Sequence, residues 1–353
     1  MPEAIRWAPG SPCGVGYNAV SAMHANLAEL AQIPVSAFRT NLLAWYDAHA
    51  RDLPWRKDRD PYRVWISEIM LQQTRVAAVI EHYHEFLRRF PTVQKLAAAR
   101  QTSVLAAWSG LGYYRRARML HSAARMIARE HGGKFPGTAA ALRDLPGIGR
   151  YTAAAIASIA FGEPVAVVDG NVERVLERLF GQKLSTEKIW HTAGDLLDRE
   201  RPGDFNQAMM ELGATVCTPR APSCLTCPVV ALCPTRGERA PTTRPSRQAR
   251  REIHYALACR KGRVFLVRRA PDLRLMPGMW ELPELGRRGR SAQPSFTLRH
   301  SITVTDYTVR VWQMPAPRRA AGSWVALDRA GSLPLTGLAR KILQRVAETN
   351  SII

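Results

Sequence analysis

From about Phe38 to Leu232, apolar residues return every three or four positions, with polar residues between them. The segments "VWISEIMLQQTRVAAVIEHYHEFLRRF" and "TSVLAAWSGLGYYRRARMLHSAARMIARE" carry this spacing most clearly. It is the spacing of one apolar stripe along an α-helix. "FPTVQKLA" and "FPGTAAALRDLP" put Pro and Thr where helices start. No strand-like alternation interrupts this part, so it is expected to be helical throughout.

The pattern then breaks. "PTRGERAPTTRPSRQARRE", Pro234 to Glu252, is rich in Pro and Arg and poor in apolar residues, and reads as a linker. Beyond it the period becomes two. "IHYALACRKGRVFLVRR" reads as strand, Lys261-Gly262 turn and strand. "HSITVTDYTVRVWQM" and "GSWVALDRA" read as further strands, and "LTGLARKILQRVAE" as a closing helix. The expected organisation is an extension over 1–35, a mainly α region over 36–233, a linker over 234–252 and an α+β domain over 253–347.

Composition adds a partner. The chain has 353 residues, enough for two domains with separate cores, and 46% of them are hydrophobic, which fits a globular chain. The formal charge is +21, and 43 of the 50 basic residues are arginine. Such an excess points to a polyanion, most simply nucleic acid; a GC-rich genome would also favour arginine and alanine. No segment is apolar enough to span a membrane. The first residues, "MPEAIRWAPGSPCGVGYNAV", are broken by Pro and Gly and lack the apolar run of a secretory leader. Met23 is an alternative start. These readings predict a reducing, cytoplasmic setting, in which six cysteines do not form a disulfide framework.

Three constellations carry chemistry. "LRDLPGIGRYTAAAIASIA" reads as helix, tight turn, helix. Gly147 and Gly149 allow positive φ and close approach of another backbone, and the second helix would offer its first N–H groups to a DNA phosphate. Next, Cys217-x6-Cys224-x2-Cys227-x5-Cys233 gathers four thiols within 17 residues, a set that suits zinc or an iron–sulfur cluster. Arg220, in the loop after the first of them, suits a phosphate; Cys13 and Cys259 fall outside the pattern. Last, Glu68 lies on an apolar helical stretch and Asp169 at the end of "AVVD". Carboxylates in apolar surroundings have raised pKa values, and two of them are the minimum for breaking a glycosidic bond. Taken alone, either could be a helix cap or an ion-pair partner.

Taken together, "SEIMLQQT", "GLGYYRRARML", "LPGIGRYT…VDGN", "FNQAMMELGATVCTPRAPSC" and the four cysteines resemble the helix-hairpin-helix DNA glycosylases that carry a [4Fe–4S] cluster. More narrowly they resemble MutY-type adenine DNA glycosylases, over roughly residues 37–347. The resemblance implies a nucleoid-associated bacterial enzyme, monomeric, acting on double-stranded DNA with adenine opposite 8-oxoguanine. It implies a [4Fe–4S] cluster on Cys217, Cys224, Cys227 and Cys233. Glu68 would protonate N7 of a flipped-out adenine, Asp169 would stabilise the oxocarbenium-like sugar, and Asn171 would position Asp169. Lyase relatives such as endonuclease III carry a lysine where this chain has Tyr151, so base removal without efficient strand cleavage is expected. Glu173 also stands where some relatives place a lysine. Arg51, Trp55, Arg56 and Gln207 would line the adenine pocket; Leu71, Gln73, Thr74 and Tyr113 would wedge into the base stack.

The C-terminal part resembles the Nudix-like domain of that family, with "RLMPGMWELPE" as its entry loop, but holds no Nudix box. Its expected task is to read the base opposite adenine. Where the family shows Phe-Ser-His, this chain has Ile302-Thr303-Val304. Thr303 keeps a hydroxyl for the N7 edge of 8-oxoguanine, while Val304 offers no hydrogen bond. Two alternatives stand beside this reading: a glycosylase for thymine opposite guanine, and a DNA-binding iron–sulfur protein without catalysis.

Overall fold

The computed structural model describes residues 33–237, 249–273, 275–286, 293–302, 305–318 and 320–349. Eleven helices come first among them: α1 (Val35–His49), α2 (Pro61–Leu71), α3 (Val76–Arg89), α4 (Val93–Ala98), α5 (Gln101–Ala107), α6 (Arg115–Glu130), α7 (Ala139–Leu142), α8 (Arg150–Phe161), α9 (Gly170–Leu179), α10 (Thr186–Leu196) and α11 (Pro202–Thr215). The local chemistry of their starts is simple. Asp60 caps α2 by accepting from the N–H groups of Tyr62 and Arg63, with Pro61 in the first turn. Thr92 and Thr138 cap α4 and α7 in the same way, as the Pro-Thr and Pro-Gly-Thr signals predict.

Both segments quoted for their helical spacing are broken. The first is interrupted between Leu71 and Val76, the second between Ala107 and Arg115. Gln73 and Tyr113, at φ 56° and 47°, sit in these breaks. Residues 72–75 hold no apolar side chain, and Gly110 and Gly112 fall in the second break.

By contacts the chain forms two units, Met1–Arg51 with Pro164–Pro241, and Asp52–Glu163 with Thr242–Ile353. In the first, α1, α9, α10 and α11 enclose a core that includes Phe38, Leu42, Leu176, Leu196, Phe205 and Leu212. Ile33 joins it, so ordered packing begins just inside the segment expected to be a loose extension.

The second unit has a helical part and a β part. Trp65, Tyr83, Phe86 and Trp108 are fully enclosed in the helical part, with Phe86 edge-on to Trp108 at 5.9 Å. Helix α2 lies against α8, in which Ala153, Ala154, Ala155 and Ala157 are buried. The β part has strands β1 (Ala249–Leu257), β2 (Cys259–Arg260), β3 (Arg263–Arg268), β4 (Trp280–Glu281), β5 (Phe296–Ile302), β6 (Thr305–Gln313) and β7 (Gly322–Ala326), then α12 (Leu327–Ala330) and α13 (Gly337–Thr349). One sheet runs β1-β6-β5, with β1 parallel and β5 antiparallel to β6. In the other, β3 pairs with β2, β4 and β7. Tyr255, Leu257, Val264, Leu266, Val309 and Val311 pack with Leu338, Ile342 and Val346 of α13.

The Lys261-Gly262 turn forms as expected: both residues have positive φ, and Arg260 pairs with Arg263 across it. Two details differ. Strand β1 begins at Ala249, within the charged segment expected to be linker, because Ala249–Glu252 pairs with Thr305–Thr308 of β6. "HSITVTDYTVRVWQM" is not one strand but parts of β5 and β6, which pair Ile302 with Thr305. The alternation holds no Gly, Pro or Asn to mark that reversal.

The β part is tied to the helical part of the same unit by polar contacts. Ser109 Oγ and Tyr114 Oη both donate to the Leu335 carbonyl, at 2.9 and 3.0 Å, and Arg340 Nε donates to Ser109 Oγ. Arg118 Nη2 donates to the Pro277 carbonyl at 2.7 Å. Among the described residues no helix is long and apolar enough to cross a membrane.

His121 is 1% exposed, and burial holds its imidazole below the ordinary 6.5. The unfolded chain therefore takes up its proton first. Stability from this group is complete above about pH 6.5 and declines as the pH falls from there to the depressed folded value. In His121→Leu, unfolding free energy measured in urea should depend less steeply on pH below 6.5 than in wild type.

Candidate active site

Glu68 lies on α2 and is 6% exposed. Its Oε2 accepts a hydrogen bond from Tyr151 Oη at 2.7 Å. Tyr151 belongs to the first turn of α8, directly after the helix-hairpin-helix turn, so the turn sets where the phenol stands. Gln72 Nε2 donates to Thr152 Oγ1 at 3.2 Å and pins the end of α2 to the start of α8.

The turn itself corrects one expectation. Gly147 has φ 78°, and a Cβ there would stand 2.6 Å from Met119 Cβ, so glycine is required. Gly149 is the N-cap of α8 at φ −90°, ψ −179°, an extended conformation open to any residue. Nothing lies within 4 Å of where its Cβ would be, and the residue is exposed. Its use is the open space in front of a helix N-terminus, not a special backbone angle.

Asp169 caps α9. Its Oδ1 accepts from the N–H groups of Asn171 and Val172 at 2.9 and 2.8 Å, and its Oδ2 from Asn171 Nδ2 at 2.8 Å. A carboxylate oriented this way meets the positive end of a helix. Asn171 thus positions Asp169, as expected, and is itself held. Arg174 Nη2 donates to Asn171 Oδ1 at 2.8 Å and to the Gly213 carbonyl at 2.7 Å, while its Nε donates to the Cys217 carbonyl at 2.8 Å. A Cβ on Gly213 would lie 2.6 Å from Asn171 Cβ, so α11 closes directly on Asn171. Upstream, the buried Asn206 accepts from Val167 N–H and donates to the Val165 carbonyl, clamping the chain that delivers Asp169. Sequence reasoning missed Arg174 and Asn206. Arg174 could have been sought three residues along the helix from Asn171; Asn206 sits beside Gln207 without any signal of its own. Glu173 is exposed and Gln207 half-buried.

The four cysteines lie on one short segment, each half-buried as a free thiol. Cys217, Cys227 and Cys233 pack against the core of their unit. Arg178, buried beneath them, directs Nη1 to Cys217 Sγ at 3.2 Å and to the Thr218 carbonyl at 2.9 Å, with Nη2 on the Pro219 carbonyl. Burial pushes the Cys227 thiol up to about 11, and the charges of the other three cysteines act in the same direction. Among the described residues no three His, Cys, Asp or Glu side chains are drawn together as a single-ion site. Four cysteines on one segment are the donor set of an iron–sulfur cluster, and an N–H donor aimed at a sulfur suits a thiolate ligand. Arg220 is exposed in the same segment.

Arg51 is engaged by a residue that sequence reasoning missed. Its Nε and Nη2 donate to both oxygens of the buried Glu211 at 2.6 and 2.7 Å. Trp55 is buried edge-on to Tyr83 at 5.5 Å, and Arg56 is half-buried.

Gln73 and Tyr113 are both exposed, and both hold a left-handed backbone that costs a non-glycine residue roughly 1 kcal/mol or more. Leu71 and Thr74 are half-buried beside them. One side chain, Arg116, touches both loops. Thr303 and Val304 lie outside the described residues; Ile302 is described only as the last residue of β5.

A helical hairpin opening onto an exposed helix N-terminus is the geometry of the helix-hairpin-helix class of folds. The family model for HhH-GPD superfamily base excision DNA repair proteins matches residues 66–196. A solved thermostable thymine-DNA glycosylase is 32% identical, with a TM-score of 0.55, covering 58% of this chain and 97% of that one. The human adenine DNA glycosylase is 49% identical over 251 residues, covering 65% of this chain and 45% of that protein. The adenine DNA glycosylase of Schizosaccharomyces pombe is 34% identical over 324 residues, covering 72% of this chain and 70% of that protein. The chain belongs to the MutY-type adenine DNA glycosylase family. It spans less than half the length of the human and rat relatives it matches, 45% and 42%.

Asn206→Ala should remove both clamps on the segment before Asp169 and leave two backbone groups unpaired. Urea denaturation should register a loss of roughly 2–3 kcal/mol. A loss below about 0.5 kcal/mol would mean that the clamp bears no load.

Proposed function

We propose that this protein is a monomeric DNA repair glycosylase that excises adenine paired with 8-oxoguanine, and adenine opposite guanine as well, without efficient strand cleavage. The observation that carries this reading is the buried Glu68 carboxylate with the Tyr151 hydroxyl upon it. In this reading Glu68 is the general acid, and Tyr151 is the phenol that stands where lyase relatives have an amine. Membership of the adenine glycosylase family supports the choice of base.

In this reading residues 36–233 carry the chemistry and 253–347, a Nudix-like domain, read the opposite base, with the Arg- and Pro-rich stretch 234–252 between. Gly147, Gly149 and the N-terminus of α8 receive a DNA phosphate, and Arg220 a second one. Leu71, Gln73, Thr74 and Tyr113 enter the stack as adenine leaves it, offsetting the few kcal/mol that unstacking costs. Arg51, Trp55, Arg56 and Gln207 line the pocket that receives it. Glu68 gives its proton to N7; the C1′–N9 bond breaks and its electron pair leaves with the base. Asp169, steadied by Asn171, stabilises the cationic sugar until water adds at C1′. The phenol of Tyr151 cannot form a Schiff base with the sugar, so the strand stays intact. Thr303 meets the N7 edge of 8-oxoguanine.

Cys217, Cys224, Cys227 and Cys233 would hold a [4Fe–4S] cluster, with Arg178 donating to the Cys217 sulfur. When bound, the cluster supplies cross-links that staple residues 217–233 and present Arg220 on a rigid loop. The protein works wherever the cell keeps its DNA.

The likeness to the thymine-DNA glycosylase favours a second reading, excision of thymine opposite guanine. That structure covers 58% of this chain, and residues 253–347, read as the domain for the opposite base, weigh against this second reading.

Single-turnover release from duplexes with A opposite 8-oxoguanine, A opposite G, A opposite T and T opposite G separates the readings. Each sample is split, with and without alkali. Fast adenine release opposite 8-oxoguanine, with strand breaks only after alkali, is expected. Reaction of T opposite G alone would move the assignment to thymine. Glu68→Gln should slow adenine release by a factor on the order of 10² to 10⁴.

A further inference from the structure

The two loops that carry the exposed Gln73 and Tyr113 come from separate places in the chain, one after α2 and one before α6. Both keep a non-glycine residue in the left-handed region. One guanidinium meets both. Arg116 Nη1 is shared among the Ile69 carbonyl at 2.7 Å, the Met70 carbonyl at 3.1 Å and the Gln72 carbonyl. Its Nη2 reaches Thr74 Oγ1 at 3.2 Å, the Leu111 carbonyl at 3.1 Å and the Gly112 carbonyl at 3.4 Å. The residues contacted thus stand on both sides of Gln73 and directly before Tyr113.

The same group is held between two rings. Its Cζ lies 5.4 Å from the Trp108 ring centroid and 5.5 Å from that of Tyr113. Trp108 is fully buried and donates Nε1 to the Gly112 carbonyl at 3.1 Å, so the lower ring is fixed. Tyr113 is 45% exposed and rests on the cation from the solvent side. Burial lowers the Arg116 pKa to about 10, which still leaves it charged at neutral pH. A planar fork with several donors and a flat face is specific to arginine; an ammonium is a point charge and cannot serve two loops and two rings at once.

We infer that Arg116 is the positioning residue of the DNA-inserting wedge: it locks the Gln73 and Tyr113 loops in register, so that both side chains are presented to the base stack before DNA arrives. This rests on the glycosylase reading above and deepens it. Arg116 touches neither the base nor the sugar. Its action is on the opening of the stack, a step before the chemistry of Glu68 and Asp169.

The test uses the holoprotein and two readouts. The first is the fluorescence rise of 2-aminopurine, placed where adenine stands opposite guanine, on mixing with enzyme; it reports unstacking. The second is the pH profile of single-turnover adenine release, which reports the state of Glu68. In Arg116→Lys the fluorescence rise should fall at least about fivefold and release should slow about 10- to 100-fold at every pH, with the midpoint of the profile unmoved. Visible absorbance of the cluster and the thermal midpoint check that the variant is folded. Trp108→Phe, which removes the Nε1 bond to the Gly112 carbonyl and keeps a ring beside the guanidinium, covers the case in which Arg116→Lys does not fold: it should reduce the rise about two- to fivefold alone. Where Arg116→Lys folds, Trp108→Phe should add less to it than it does alone.

An undiminished rise in either single variant overturns the inference. So does a shifted pH midpoint, which would make Arg116 a support of Glu68, and so do additive effects in the double variant. No rise with the wild-type protein overturns the glycosylase reading itself, and this inference with it.

Discussion

The packing of α2 on α8 is the contact on which the rest of the site depends. Through it a tyrosine in the first turn of one helix reaches a glutamate near the end of the other. Moving the helices apart would leave a buried carboxyl without that donor, a state that costs more than an exposed one. The hairpin turn before α8 then has two tasks. It aims the helix N-terminus outward and sets Tyr151 inward, and the left-handed Gly147 packed on Met119 makes both possible.

Arginine is used in this protein for more than surface charge. Arg116 gathers two loops and Arg174 joins the Asp169 cap to the start of the cysteine segment. Arg178 supports that segment from below. Each spends most of its donors on backbone carbonyls rather than on acids. A guanidinium can satisfy several carbonyls in one plane, so it orders irregular chain where no helix or sheet ladder is available. The excess of arginine read as a sign of a polyanionic partner is therefore partly internal scaffolding.

Local signals in the sequence were reliable where the physics is local. The Thr caps of α4 and α7, the Lys261-Gly262 turn and the change of period after the charged segment each depend on a few neighbouring residues, and each is present in the fold. The Asp169–Asn171 contact is of the same kind, because a cap and the residue two positions on are bound to meet. Signals failed where the pattern was blind to direction. The apolar spacing on either side of residues 72–75 and 108–114 reads as helix, and it does not tell how the polar run and the glycines between them turn the chain to expose Gln73 and Tyr113. Gly149 was read by residue type alone, although its backbone is extended.

What the sequence by itself determined is the inventory: a helical region, an α+β region, a glycine turn, two acids, four thiols and a tyrosine in place of a lysine. Those follow from residue type and short-range spacing. The tertiary structure decided which of them touch. Glu68 and Tyr151 are 83 positions apart, Asn206 and Val167 are 39, and Arg51 and Glu211 are 160. Such pairings are set by how apolar faces close on one another across the whole unit, and no window of neighbouring residues contains that information.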